Sequence, residues 1–326
     1  MRSETDLVRF LQRRFPAGGG VRVGIGDDAA VLRGSPGCDW VVTSDLLVEN
    51  VHFLRPAQPA RAVGWKALAR SLSDIAAMAA HPRYALVALA VPAATSASWV
   101  KEFFAGVAAL ARRHRVQVVG GDFSSAAQVV AEVQVMGEVR RGRALLRSGA
   151  RPGQAIFVSG RLGTSALGAL CVRARLGSKA LPVQRALRAH FYPQPRLKLA
   201  EALARRGASA LIDLSDGLST DLQHLCEASG VGARLYAECI PTVKLPGPLA
   251  RRLRTNALEL ALHGGEDYEL LFTLPETKAA RLPRSLAGVP LTRIGETTKE
   301  RGVVLVEHGR RRRLEARGWD HFRRRA

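Results

Sequence analysis

The chain has 326 residues, 47% of them hydrophobic, and carries 49 basic against 28 acidic side chains for a net charge of +21. At about 150 residues per domain, that length predicts two globular domains. No apolar run reaches the roughly 18 residues of a membrane-spanning helix. Glu4 and Asp6 stand where a signal or transit peptide avoids acids, so the expectation is an untargeted, cytoplasmic protein.

Residues 3–14 predict a capped amphipathic helix with Leu7, Val8, Phe10 and Leu11 on its stripe. Val21–Ile25 and Trp40–Thr43 read as strands, Arg61–Ala80 as a helix, Tyr84–Val91 as a strand and Ser98–His114 as a second helix. Val116–Val119 reads as a buried-type strand, and Val129–Val139 alternates like an exposed one. The turn-rich stretch 147–153 then marks a domain boundary. Beyond it come strand Ala155–Ser159, helix Thr164–Leu176, a Pro193-led helix to Arg206 and strand Ala210–Ile212. Helix Ser219–Ala228 and strands Glu269–Leu274 and Gly302–Glu307 follow. Alternating strands and helices predict layered α/β or α+β domains.

The four cysteines show neither CxxC nor Cys/His metal spacing and read as reduced thiols. The basic excess is mostly arginine, densest at Arg310–Arg313 and Arg323–Arg325. No aromatic residues interleave as in a base-stacking surface, so a solvated basic face that attracts polyanions is expected.

The few aspartates carry the chemistry. Asp27 and Asp28, Asp45, Asp122, and Asp213 with Asp216 each follow a predicted strand, with glycine or serine beside the acid. Each alone is an ordinary turn or cap residue, and Asp221 reads as a first-turn helix acid. Two carboxylates about 4 Å apart repel by about 4 kcal/mol at an effective dielectric near 20, so convergence of the set requires cations. Oxygen ligands without His or Cys select magnesium, calcium or manganese. Thr43 and Ser44 offer hydroxyls beside Asp45. Asp74 lies within a helix among small alanines that let another backbone approach, the alternative being a solvent-facing helix acid. Gly120-Gly121-Asp122 removes Cβ atoms where a phosphate can approach backbone N–H groups. His52 lies between Val51 and Phe53 and reads either as a packed histidine or as a contact to substrate phosphate. Gly264 and Gly265 precede a crowded acidic run, Glu266, Asp267 and Glu269.

Gly24, Gly26 and Ala29 match a dinucleotide fingerprint, but Asp27 and Asp28 would repel the pyrophosphate. The Walker loop and the protein-kinase catalytic signatures are absent. A nucleotide user built from this sequence must hold phosphate through metals.

The ordered set Val23-Gly-Ile-Gly-Asp-Asp-Ala29, Thr43-Ser-Asp45, His52-Phe53, Leu72-Ser-Asp74, Gly120-Gly-Asp122, Arg147-Ser-Gly-Ala150, Asp213-Leu-Ser-Asp-Gly217, Gly264-Gly-Glu-Asp-Tyr-Glu269 and Gly318-Trp-Asp-His-Phe322 resembles the thiamine-monophosphate kinases of the aminoimidazole-ribotide synthetase-like superfamily. The resemblance spans nearly the whole chain. It implies a two-domain α+β/α/β fold, an N-terminal mixed sheet with helices followed by a C-terminal α/β domain. Residues 1–146 would bind ATP and metal and dimerise, and residues 147–326 would complete the nucleotide and substrate site. It implies direct in-line phosphorylation of thiamine monophosphate by ATP in a cytoplasmic homodimer. Several Mg2+ ions would be held by Asp28, Asp45, Asp74, Asp122, Asp213 and Asp216 with Thr43 and Ser44. Gly121, Asp122, Arg147 and Ser215 match nucleotide contacts, and His52, Glu266 and Trp319 match positions near the thiamine substrate. Ser71, where the family often has Asn, and Phe123, where it often has Thr, depart from the pattern.

Another superfamily enzyme, such as aminoimidazole-ribotide synthetase, is the nearer alternative. The redox-linked relatives are disfavoured because no cysteine lies near the N-terminus or ends the chain. A basic nucleic-acid-binding protein is the alternative from another class.

Overall fold

The structure is a computed structural model and describes residues 20–24, 26–34, 36–177 and 180–320. The expected helix at 3–14, and His321 and Phe322 of the last motif, lie outside the described residues. Strands β1 (Val21–Val23), β2 (Ala30–Arg33) and β3 (Cys38–Val48) lead to helix α1 (Ala60–Ala77) and strand β4 (His81–Val91). Helix α2 (Ala97–His114) and strands β5 (Gln117–Ser125) and β6 (Val130–Arg140) complete the first half. These strands form a six-stranded mixed sheet in the order β1-β2-β3-β6-β4-β5, antiparallel except where β4 meets β5.

The second half has β7 (Ala155–Ser159), α3 (Thr164–Arg173), α4 (Leu181–Phe191), α5 (Leu197–Arg206), β8 (Ala210–Asp213), α6 (Leu218–Ser229) and β9 (Gly232–Tyr236). It continues with α7 (Gly247–Leu253), α8 (Ala257–His263), β10 (Leu270–Leu274), α9 (Glu276–Ala279) and β11 (Ser285–Leu286). Strands β12 (Val289–Thr298), β13 (Gly302–Glu307) and β14 (Arg310–Arg313) close it. An eight-stranded sheet runs β14-β13-β9-β12-β7-β10-β8, with β11 on β12. Only β9 and β13 pair in parallel, so this half is more antiparallel than the expected α/β pattern. The turn-rich stretch 147–153 lies between the two sheets.

Helix α1 is the element that positions the site. Leu68, Leu72, Ile75 and Met78 are fully buried under the first sheet, each contributing about 1.5–3 kcal/mol by transfer from water. Ala76, Ala77 and Ala79 instead join a second cluster with Phe157, Leu199, Leu211 and Phe272 of the other half. Small side chains on that flank let β8 and α5 approach, so α1 is clamped between the two sheets. A Cβ at Gly64 would lie 1.9 Å from the Phe103 carbonyl oxygen, so glycine there permits the close α1–α2 crossing.

Two expectations fail. The strand expected at Val116–Val119 starts at Gln117 and is an edge strand exposed along its whole length, because the first sheet ends there; only Val116, just before it, is buried as expected. Asp45 and Asp122 do not follow strands; they lie inside β3 and β5, which run on well past the predicted ends.

Candidate active site

Three acidic side chains meet where α1 crosses the gap between the sheets. Oxygens from Asp28, Asp74 and Asp213 lie within 4.8 Å of one another. Asp28 comes from the turn before β2, Asp74 from the last turns of α1 and Asp213 from the end of β8. Hydroxyls brace the cluster: Thr43 Oγ1 donates to Asp74 Oδ2 at 2.6 Å, and Ser73 Oγ donates to Asp213 Oδ2 at 2.6 Å. The guanidinium of Arg147 forks onto Asp28, Nη2 to Oδ1 at 2.8 Å and Nε to Oδ2 at 3.1 Å. Asp27 stands beside them and accepts the backbone N–H of Arg147 at 3.2 Å.

The electrostatics register the crowding. Burial, followed by Asp45, Asp213 and Asp28, pushes Asp74 well above the usual carboxylate range. Burial and Asp28 do the same to Asp213, and burial with Asp28 lifts Asp27 to about 6. The single Arg147 does not neutralise so many acids. The donors are carboxylate and hydroxyl oxygens without sulfur or nitrogen, the set that suits a hard divalent cation.

Asp45 lies on the same face of β3 as Thr43 and accepts from Arg70 Nη2 at 2.9 Å. Ser44, one residue away, points to the opposite face, where its hydroxyl donates to Glu132 Oε1 at 2.7 Å. That outer face also holds Asp122, which with Gly121, Leu86, Ala88, Glu132 and Gln134 lines a shallow groove. The expected metal set is therefore divided within one chain. Asp28, Thr43, Asp74 and Asp213 gather with Asp45 nearby, while Ser44 and Asp122 lie across the sheet, because adjacent strand residues face opposite ways.

The loop after β8 completes the first group. Asp221 is indeed a first-turn acid of α6 and accepts the N–H groups of Asp216 and Gly217 at 3.2 and 2.9 Å. The Ser215 carbonyl accepts the Glu266 N–H at 2.7 Å. The Trp319 N–H donates to the Asp216 carbonyl at 3.0 Å, so the C-terminal motif abuts the same loop.

Glu266 sits at φ +66° in the Gly-Gly-Glu-Asp segment, a left-handed conformation that costs a glutamate about 1–3 kcal/mol. Its carboxylate meets Lys66 Nζ at 2.7 Å, His190 Nδ1 at 3.3 Å and Arg70 Nη1 at 3.7 Å. Burial pushes the Glu266 carboxyl upward, but Lys66 and His190 overcome it and hold the group well below the usual carboxylate range. Lys66 Nζ also donates to the His52 carbonyl at 3.0 Å, and His52 Nδ1 accepts the Val48 N–H at 3.0 Å. The two expected substrate positions, His52 and Glu266, are thus joined through one lysine.

The family model "AIR synthase related protein, N-terminal domain" matches residues 26–139, and its C-terminal counterpart matches residues 151–308. Thiamine-monophosphate kinase of Bacillus subtilis (strain 168) is 35% identical over 329 residues, covering 98% of this chain and 99% of that one. The thiamine-monophosphate kinase of Escherichia coli (strain K12) is 37% identical over 321 residues, covering 97% of both. This chain belongs to the thiamine-monophosphate kinase family. It is an ATP-dependent phosphotransferase. A solved structure of AaThiL complexed with AMPPCP and TMP superposes with a TM-score of 0.86 at 31% identity, covering 98% of this chain and 97% of that one.

Sequence reasoning missed Lys66, Arg70, Ser73 and His190. Lys66 and Arg70 lie in the apolar helix pattern of α1, where a cation ordinarily reads as a snorkelling surface residue. The signal that was available is their spacing: residues 66, 70, 73 and 74 follow helical i, i+4, i+7 and i+8 steps and share one face.

Proposed function

We propose that this family member transfers the γ-phosphoryl group of ATP directly, in line, to the phosphate of thiamine monophosphate, giving ADP and thiamine diphosphate. The observation that carries this reading is the convergence of Asp28, Asp74 and Asp213 to within 4.8 Å at the junction of the two halves. A relative of the same fold binds AMPPCP and TMP, which supports ATP and thiamine monophosphate as the two substrates here.

Magnesium fits this donor set, with Asp28, Asp74 and Asp213 as ligands and Thr43, Asp45 and Asp216 beside them. When bound, magnesium supplies charge neutralisation between carboxylates and phosphate oxygens. The protein's own work is positioning. Arg147 orients Asp28, Thr43 orients Asp74 and Ser73 orients Asp213. The acceptor phosphate is already ionised near neutral pH, so no side chain need act as a strong base. Residues 1–146 supply most of the acids and residues 147–326 close the nucleotide and substrate site, with Ser215 and Arg147 toward nucleotide and Trp319, His52 and Glu266 toward the thiamine moiety.

Ser44, Gly121 and Asp122 fit a homodimer. The outer face of the first sheet carries no helix among the described residues. Leu46 is 51% exposed there and Val119 on edge strand β5 is 54% exposed. A long unpaired apolar edge is a pairing surface, and pairing of two copies would bring Ser44 and Asp122 into an enclosed nucleotide site. No described helix is long and apolar enough to cross a membrane. The four cysteines are free, in keeping with a reducing cytoplasm.

Incubation with ATP, magnesium and thiamine monophosphate should give ADP and thiamine diphosphate in equal amounts. ADP with inorganic phosphate alone, or turnover only on an aminoimidazole-ribotide synthetase substrate, would refute the assignment.

A further inference from the structure

Lys66 has no exposed surface, a rare condition for a lysine. Burial pulls its ammonium downward in pKa and the Glu266 carboxylate opposes that shift. A leucine or methionine would fill the same place in α1 without an ion to desolvate, and for packing alone the apolar choice is often the more stable one. The partners give a reason for the charge. The ammonium reaches both oxygens of Glu266, at 2.7 and 2.8 Å, and the backbone carbonyl of His52 at 3.0 Å. These belong to three separate segments: the loop after β3, helix α1 and the Gly-Gly-Glu-Asp loop of the second half. The last of these is held in a left-handed conformation at Glu266 and tied by its N–H to Ser215. Backbone strain and a buried ion pair coincide at one point, and strain of this kind gathers at functional sites.

We infer that Lys66 is a positioning residue for the acceptor substrate, locking His52 and Glu266 into one preformed wall while leaving the ATP side untouched. The inference rests on the proposed kinase reaction and adds a residue to it. Lys66 acts through Glu266: without the ammonium, the carboxylate keeps only His190 and the more distant Arg70, and the left-handed loop loses its anchor to α1. The loss should therefore appear in binding of the acceptor, not of the nucleotide.

Steady-state kinetics on the wild type, Lys66→Met, Glu266→Gln and the double variant test this. Lys66→Met should raise KM for thiamine monophosphate about tenfold or more and leave KM for ATP within about twofold. The double variant should lose much less than the two single losses combined, because most of the lysine's effect passes through that carboxylate and only its bond to the His52 carbonyl is left to lose. Should Lys66→Met fail to fold with Glu266 left unpaired, the double variant, which buries neither charge, carries the readout: its KM for thiamine monophosphate should rise about tenfold or more while its KM for ATP stays within about twofold. An unmoved acceptor KM, equal losses for both substrates, or additive effects in the double variant would overturn the inference. Absence of wild-type turnover would overturn the kinase reading as well.

Discussion

Asp74→Asn removes one charge from the crowded end of α1. The wild-type carboxylate lies within 4.8 Å of those of Asp28 and Asp213, so each full-charge repulsion is about 3.5 kcal/mol at an effective dielectric near 20. Proton uptake relieves part of this in the metal-free protein, since burial and the neighbouring acids raise Asp74 far above its ordinary value. A raised folded-state pKa contributes stability that is complete below the unfolded value, near 4, and is withdrawn as pH rises through the folded value. The metal-free wild type therefore loses stability as pH rises, and the variant loses less. Near pH 8 in a chelator, Asp74→Asn should melt above wild type by about 2 kcal/mol, or roughly 4–8 °C for a domain of this size. Excess magnesium should raise the wild type and barely move the variant, whose turnover should fall at least about 10–100-fold. Scanning fluorimetry near pH 6 and pH 8, with chelator or magnesium, reads both effects. A variant that melts below wild type in chelator, or that keeps the full magnesium shift, would refute the reasoning.

Gly121→Ala should cost about 1–3 kcal/mol, seen as a lower melting temperature, because its Cβ would lie 1.8 Å from the Val87 carbonyl oxygen across the β4–β5 pair. On the proposed pairing of two copies through the exposed edge of β5, the wild type should sediment as a dimer and Val119→Asp as a monomer in analytical ultracentrifugation, with depressed turnover. Burial lifts Asp267 to about 7 against the Gly163 and Ser165 N–H groups it accepts. Its stabilising contribution is full in acid and withdrawn as pH rises through about 7, so Asp267→Asn should flatten the fall in melting temperature between about pH 5 and pH 8.

The elements most legible in the sequence were those with a clean period. Helix α1, helix α2 and strand β7 fall where their stripes and flanking turns put them. Strand β12 escaped notice because Pro290 and Gly295 break its alternation, and the structure absorbs Gly295 in an irregular pairing with β7. Helix α4 starts with no capping side chain, so it offered no start signal beyond Pro182. Asp28, Asp74 and Asp213 could be singled out because acids within two residues of a glycine or serine are conspicuous in an arginine-rich chain. Their meeting could not be read, since it depends on α1 being clamped between two sheets more than a hundred residues apart in sequence. Thr43 and Ser44 were grouped by adjacency, whereas the two-residue repeat of β3 separates them onto opposite faces. Lys66 shares a helix face with Asp74, but its burial could not be read: its helix looks amphipathic, and only the second sheet turns its outward face into an interior.

The most direct measurement is anomalous scattering from manganese substituted for magnesium in crystals grown with AMPPCP and thiamine monophosphate. Manganese peaks within bonding distance of Asp28, Asp74 and Asp213, next to the phosphate chain of the nucleotide analogue, are the predicted result. Nucleotide bound with no metal at those carboxylates, which remain paired with Arg147, Thr43 and Ser73 alone, would contradict the central claim.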